Sequence, residues 1–373
     1  MDTVTDRNTA RRRARMGFAS ALTLALGLLV VAPLSSAHAR TVARPTRSGP
    51  FTFVLSNNFL GNDFRPQMER LATLTAGLAP FKGAVKLQIV NSQNTTQAQI
   101  ADLNNIIQSH PTVVLIDAGS PTALNPAITR ACAAGIIVIS FDQPVTAPCA
   151  YKVGQNHGVG QLIVGEWMAK TLGGKGSLLV DRGLPGAPIS SVIHDSFLTG
   201  LKRYGPNISV AGEYDGQYAQ GPEQQGISSL LVAHPDVKGV MTQGYCKPAF
   251  NAFKNAGKRA VPTTCYAYNG ELVACAQGKQ ACAILSGAPT VVQLAMKLGL
   301  DAAQGKPTPS KNTTVPLPMT LFITNNISLP SSAEVQVQHV VLGKNAFPQL
   351  APGLALPYTL PQYKITAAQA AGH

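Results

Sequence analysis

From Phe51 onward the chain alternates short apolar runs with longer segments whose apolar residues recur at helical spacing. The runs 51–56, 85–90, 112–116, 135–141, 176–180, 238–242 and 281–285 are β-branched and apolar on both faces. That pattern suits parallel strands covered by helices on each side. Helices are expected between them, around 64–79, 95–109, 124–134, 158–172, 189–204, 220–233, 248–256 and 291–303. Glycine closes several of them, as in Asn255-Ala256-Gly257 and Leu172-Gly173-Gly174. The rhythm predicts a doubly wound, Rossmann-like α/β architecture. It has more units than one ordinary domain, so two similar lobes are expected. Beyond about Pro330 the pattern fades, and residues 341–373 read as a Pro-rich tail that wraps a surface or stays partly mobile.

Residues 1–39 break this rhythm. Arg11, Arg12, Arg13 and Arg15 precede an apolar stretch from Phe18 to Ala32, a break at Pro33, and the small-residue site Ala37-His38-Ala39. This is the form of a secretory signal cleaved near Ala39. The run is shorter than the ~20 apolar residues of a membrane span. The net charge of +13 therefore shrinks, because residues 1–39 carry five Arg and two Asp and leave +10 behind. Arg40, Arg44 and Arg47 hold three more charges in the leader, and the rest is scattered without basic runs. A nucleic-acid partner is not expected, since such binders concentrate charge on a stripe or helix.

Export places the six cysteines in an oxidising compartment. Cys132, Cys149, Cys246, Cys265, Cys275 and Cys282 form no CxxC. Six cysteines allow 15 pairings; short separations favour 132–149, 246–265 and 275–282. Neither a metal site nor a catalytic thiol is expected.

Catalytic motifs are absent from the sequence. Gly173-Gly174-Lys175-Gly176 follows a helix and precedes a strand, the reverse of a phosphate-binding loop. The seven histidines show no metal spacing, and no GxSxG is present. The chain is therefore read as a binder with no cofactor. Polar and aromatic residues do recur at strand ends, where open α/β sheets gather ligands. Asn58, Asn62, Phe64 and Arg65 follow the first strand; Asp142 and Gln143 follow 135–141; Tyr218 lies beyond Ser209; Gln243 follows 238–242 and Asn269 follows 261–268. Amides and carboxylates suit hydroxyl-rich ligands, and aromatic rings cover the apolar faces of sugars.

These residues carry a resemblance. Leu55-Ser56-Asn57-Asn58 with Gly61-Asn62-Asp63-Phe64-Arg65-Pro66-Gln67-Met68, Ile139-Ser140-Phe141-Asp142, Gln155-Asn156-His157-Gly158-Val159-Gly160 and Leu230-Leu231-Val232-Ala233-His234-Pro235-Asp236-Val237 resemble the periplasmic substrate-binding proteins of bacterial ABC sugar importers, of the ribose- and galactose-binding type. The resemblance covers roughly residues 50–330. It implies a monomer that captures a sugar or related solute and delivers it to a membrane permease. It further implies lobe 1 from 50–154 and 287–322, lobe 2 from 155–286 and 323–340, and crossovers near 154–156, 286–287 and 323–325. Asp142 and Asn269 would take ring hydroxyls, Asn58 and Gln243 would add hydrogen bonds, and Phe64 and Tyr218 would cover the ring. The chain departs from the family at Gln143, where Arg is common, at Gly244, where Asn or Asp is frequent, and at Asn269, which replaces Asp. Ser190, Ser191 and His194 stand in a region that usually carries a ligand-binding Arg. These departures point to a sugar other than ribose, a polyol, a nucleoside or a less polar solute. The alternatives are an exported α/β enzyme acting on a carbohydrate or ester, or a partner that presents ligand to a sensor.

Overall fold

The computed structural model describes residues 49–373, so the expected signal and its cleavage site lie outside the described residues. Lobe 1 opens with β1 (Phe51–Asn57), α1 (Phe64–Ala76), β2 (Val85–Asn91), α2 (Thr96–Gln108), β3 (Val113–Asp117), α3 (Asn125–Ala133), β4 (Ile137–Phe141) and β5 (Tyr151–Gly154). The chain then builds lobe 2 from α4 (His157–Thr171), β6 (Lys175–Asp181), α5 (Pro188–Tyr204), β7 (Asn207–Tyr214) and α6 (Gln220–Ala233). It continues through β8 (Gly239–Met241), α7 (Cys246–Asn255), β9 (Thr263–Tyr266), α8 (Asn269–Gln277) and β10 (Cys282–Leu285). It returns to lobe 1 for α9 (Val291–Ala303) and β11 (Thr314–Pro316), then adds β12 (Met319–Ile323) and β13 (Val335–His339) to lobe 2. A final short helix, α10 (Ala367–Ala371), lies against α1.

The lobe 1 sheet runs β2-β1-β3-β4-β5-β11 and is parallel throughout. Alternation along β1 feeds both of its faces. Phe53 and Leu55 pack with α1 and α9, while Val54 packs with α2 and α3. The lobe 2 sheet runs β7-β6-β8-β9-β10-β12-β13, with β12 antiparallel to β10. Leu178 and Val180 of β6 face α4 and α5, and Leu179 faces α6 and α7. Helices α4 and α5 touch through glycines: a Cβ on Gly200 would meet Leu162 O at 2.2 Å, and one on Gly165 would meet Phe197 O at 2.4 Å.

One expectation needs correction. The third passage between lobes is Leu317-Pro318, not 323–325. Leu317 still donates to Gly154 O of lobe 1, whereas Met319 already begins a strand paired in the lobe 2 sheet. Residues 319–322 therefore belong with lobe 2. Of the two alternatives for the C-terminal segment, the structure shows the wrapping one: Leu354, Leu356, Leu360, Tyr363, Ile365 and Ala370 are buried.

The six cysteines stand as the pairs 132–149, 246–265 and 275–282, with Sγ–Sγ distances of 2.18, 2.10 and 2.13 Å. These are the pairs that short sequence separation favours.

Candidate functional site

In each lobe the strand order reverses beside the first strand, between β1 and β3 in lobe 1 and between β6 and β8 in lobe 2. A crevice opens at the carboxyl ends of such a pair, because the flanking connections leave to opposite faces. Both crevices face the same interlobe cleft. Asn57 and Asp117 end β1 and β3, Asp181 ends β6, and Gln243 lies just beyond β8; all four are fully buried. Between the lobes lies a cavity of about 60 Å³, lined from lobe 1 by Asn62, Phe64, Arg65, Asp142 and Gln143. Lobe 2 adds Ile189, Tyr218, Gln243, Tyr245, Tyr266 and Tyr268, and His157 sits where the chain enters lobe 2.

Arg65 is the electrostatic centre of the lobe 1 wall. Its guanidinium pairs with Asp117, donates to Asn57 Oδ1 at 3.2 Å and lies 3.4 Å from Asp142 Oδ2. Burial lowers its pKa, and the negative charge of Asp142 opposes that shift. The Arg65 guanidinium also lies 5.6 Å from the ring centroid of Phe64. Asp142 follows β4 with φ of 58°, and Tyr218 has φ of 53°. Left-handed backbone at a non-glycine residue costs free energy, and here it falls on two residues that face the cavity.

The lobe 2 wall is organised from beneath by Asp181. Its carboxylate accepts from Gly183 N and Gly216 N, each at 2.7 Å, and from Gln243 N at 2.9 Å. Desolvation still dominates and pushes its pKa up to about 6. Gln243 is fully engaged within the lobe. Its Nε2 donates to Asp181 O and Ser190 O, and its Oε1 accepts from the Tyr218 hydroxyl at 3.0 Å. A side chain on Gly183, at φ of 79°, would strike Gln243 Oε1, so glycine is required at that turn. Glu223, buried and with its pKa raised by desolvation, accepts from Tyr245 N. His157 is held neutral by burial, with Nδ1 3.0 Å from the Tyr266 hydroxyl.

The two walls touch. Gln143 Oε1 accepts from Ile189 N at the start of α5, at 3.0 Å. The Tyr245 hydroxyl donates to Asp63 Oδ2 and accepts from Asp63 N, both at 3.3 Å. The lobes are thus closed on each other.

Of the nine residues singled out in the sequence, seven line this cavity: Asn62, Phe64, Arg65, Asp142, Gln143, Tyr218 and Gln243. Asn58 lines an adjoining space that shares Arg65, Gln143 and Tyr218 with the first. Asn269 does not reach either space. Its Nδ2 donates to Phe347 O at 3.3 Å and Leu350 O at 2.7 Å, so the tail occupies the amide. The nine-residue set leaves out His157, Tyr245, Tyr266 and Tyr268, which also line the cavity. Tyr245 and Tyr268 sit one or two positions from residues that were chosen, and their strand-end placement was the available signal.

The model of the periplasmic binding protein domain family matches residues 53–307. The chain belongs to this family. The ribose import binding protein RbsB of Escherichia coli is 24% identical over 178 residues, which is 47% of this chain and 60% of that protein. The match thus spans less than two thirds of that relative's length. An ABC transporter solute binding protein from Thermobispora bispora superposes with a TM-score of 0.67 at 26% identity, covering 72% of this chain and 84% of the other. A periplasmic solute binding protein from Actinobacillus succinogenes with bound D-allose gives a TM-score of 0.63 at 20% identity, covering 72% and 96%. Two α/β lobes around a cleft are the architecture these proteins share with the present chain. Among the described residues, no helix is long and apolar enough to cross a membrane.

Proposed function

We propose that this periplasmic binding protein captures a sugar or polyol between its lobes and delivers it to the permease of an ABC importer. The observation that carries the reading is the closed cleft, in which Asp142, Arg65 and Asn62 meet a wall of tyrosines. A carboxylate and a guanidinium side by side accept from and donate to neighbouring hydroxyls, and the rings cover the C–H face of the ligand. Gln143, Tyr218 and Gln243 act differently from Asp142. They hold the lobes or each other, and so set the shape of the site. A ligand that bridges both walls stabilises the closed form, which is the differential affinity that lobe closure needs.

The cavity has room for about five water-sized groups at ~10–15 Å³ each, the scale of a small polyol or furanose. Asp117 and Asp142 together outweigh the charge of Arg65, so an anionic ligand is disfavoured. The protein works as a monomer without a cofactor, nucleic acid or chemical turnover. The leader is removed near Ala39 during export, and the cysteine pairs are disulfides formed in the periplasm. A thermal-shift screen of the mature protein against D-ribose, D-allose, L-arabinose, xylitol and a nucleoside tests the reading, because a ligand stabilises the state it binds. A concentration-dependent rise in melting temperature with one sugar or polyol is expected. A flat response across such solutes, with a response to a carboxylate or phosphate compound, would refute it.

A further inference from the structure

The C-terminal segment makes a further connection between the lobes, beyond the three covalent passages and beyond the residues matched by the family model. Its centre is Ala355, which is 2% exposed. On one side Ala355 forms an antiparallel bridge with Tyr268 of lobe 2. The flanking bonds run from Asn269 N to Leu354 O and from Leu356 N to Ala267 O, both at 2.9 Å. In that pattern the N–H and C=O of Ala355 itself point the other way. There Gln67 of α1, in lobe 1, takes both: its Oε1 accepts from Ala355 N at 2.8 Å and its Nε2 donates to Ala355 O at 3.2 Å. One residue is therefore pinned to both lobes at once.

The pinned residue bears on the cavity. Tyr268 stacks on Tyr245 with ring centroids 5.0 Å apart and planes at 8°, and Ala355 packs into the same cluster. Tyr245 in turn reaches across to Asp63. The side chain of Asn269 is spent on the strap, so it supports the position of Tyr268 without facing the ligand space.

We propose that Gln67, through Ala355, is a positioning residue of the binding site: it fixes the Tyr245–Tyr268 wall and ties that wall's position to lobe 1. Opening the cleft must then either break the Gln67–Ala355 pair or carry the strap with one lobe. An ordinary packed tail would do neither.

Hydrogen exchange of the ligand-free protein tests this without knowledge of the ligand, so its failure is separable from failure of the sugar-binding reading. Gln67→Met removes both bonds to Ala355. Exchange is expected to accelerate at least tenfold in 243–246 and 266–270 as well as in 350–357, while β1 and β6 stay protected. Gln67→Glu supplies a milder variant should the first fail to fold. Its protonated carboxyl reproduces the donor–acceptor pair and its ionised form does not. After correction for intrinsic rates, exchange in 266–270 should be parent-like at pH 4.5 and fast at pH 8. Acceleration confined to 341–372, or a Gln67→Glu protein indifferent to pH, would overturn the proposal and leave the segment a packed tail.

Discussion

Replacing Arg65 by Met tests whether the lobe 1 wall is built on a buried ion pair. The change keeps an apolar stem but leaves Asp117, fully buried, without its cation, and takes the donor from Asn57 Oδ1. Removing one partner of such a pair costs ~3–5 kcal/mol, because the remaining charge stays in a poorly solvating interior. For a chain of this size 1 kcal/mol corresponds to ~2 °C, so a fall of ~6–10 °C in calorimetric melting temperature is expected. Asp142 contributes little to that loss, since its side chain is 14% exposed and can be rehydrated. Adding Asp117→Asn removes the stranded charge, and the double variant should regain at least half of the lost stability. Affinity for whichever sugar or polyol stabilises the parent should not return with it, because Asp142 has still lost its orienting partner. A melting temperature within 2 °C of the parent for Arg65→Met, or no recovery in the double variant, would refute the buried-pair reasoning.

Asp142→Ala is expected to weaken ligand binding at least ~tenfold in calorimetry with little change in melting temperature, since a charged hydrogen bond is worth ~1.5–3 kcal/mol; unchanged affinity removes Asp142 from the site. Gln143→Met deletes the acceptor for Ile189 N, and ligand dissociation should quicken ~5-fold in stopped flow, matching a loss of ~1 kcal/mol. The raised pKa of Asp181, about 6, means its contribution to stability is present below pH 4 and lost as the pH climbs through 6. Asp181→Asn should therefore flatten the pH 4–7 decline in urea stability by roughly 3 kcal/mol; an unaltered slope counts against the assignment.

The sequence was informative where burial is two-sided. Strands β1, β3 and β4 are buried along nearly their whole length, and their apolar runs were found at almost the observed bounds. β7 is a sheet edge in which only Tyr214 is buried along Asn207–Tyr214, so it carries no apolar run to detect. β13, Val335–His339, alternates with period two because it too is an edge, and that short signal sits beyond Pro330, where the helix–strand rhythm has faded. The site divides along the same line. Residues at strand ends were legible because their position follows from local pattern and topology. Asn269 was placed in the cavity on the same grounds, yet its partners are Phe347 and Leu350, about eighty residues downstream. No local rule carries that information, since it depends on where the tail returns.

The buried acids sharpen what the low charged fraction of 13% means. Among the described residues the buried acids are Asp117, Glu166, Asp181, Glu223 and Glu271. All but Glu166 lie at the cleft-facing ends of the sheets or in the helices beside them. Three of them accept backbone N–H groups of the loops that carry cavity residues: Asp181 at Gly183, Gly216 and Gln243, Glu223 at Tyr245, and Glu271 at Lys247. Desolvation raises the pKa of each, so these groups are held at an energetic cost that their loop contacts offset. Carboxylates that served the ligand directly would need to face the cavity, and among the described residues Asp142 is the one acid that lines it. The buried charge of these acids is thus invested in fixing the backbone of the wall, while the cavity itself is lined by aromatic rings, amides and the Arg65–Asp142 pair. A site arranged in this way is set in shape before it is filled, so ordering it adds little to the cost of binding.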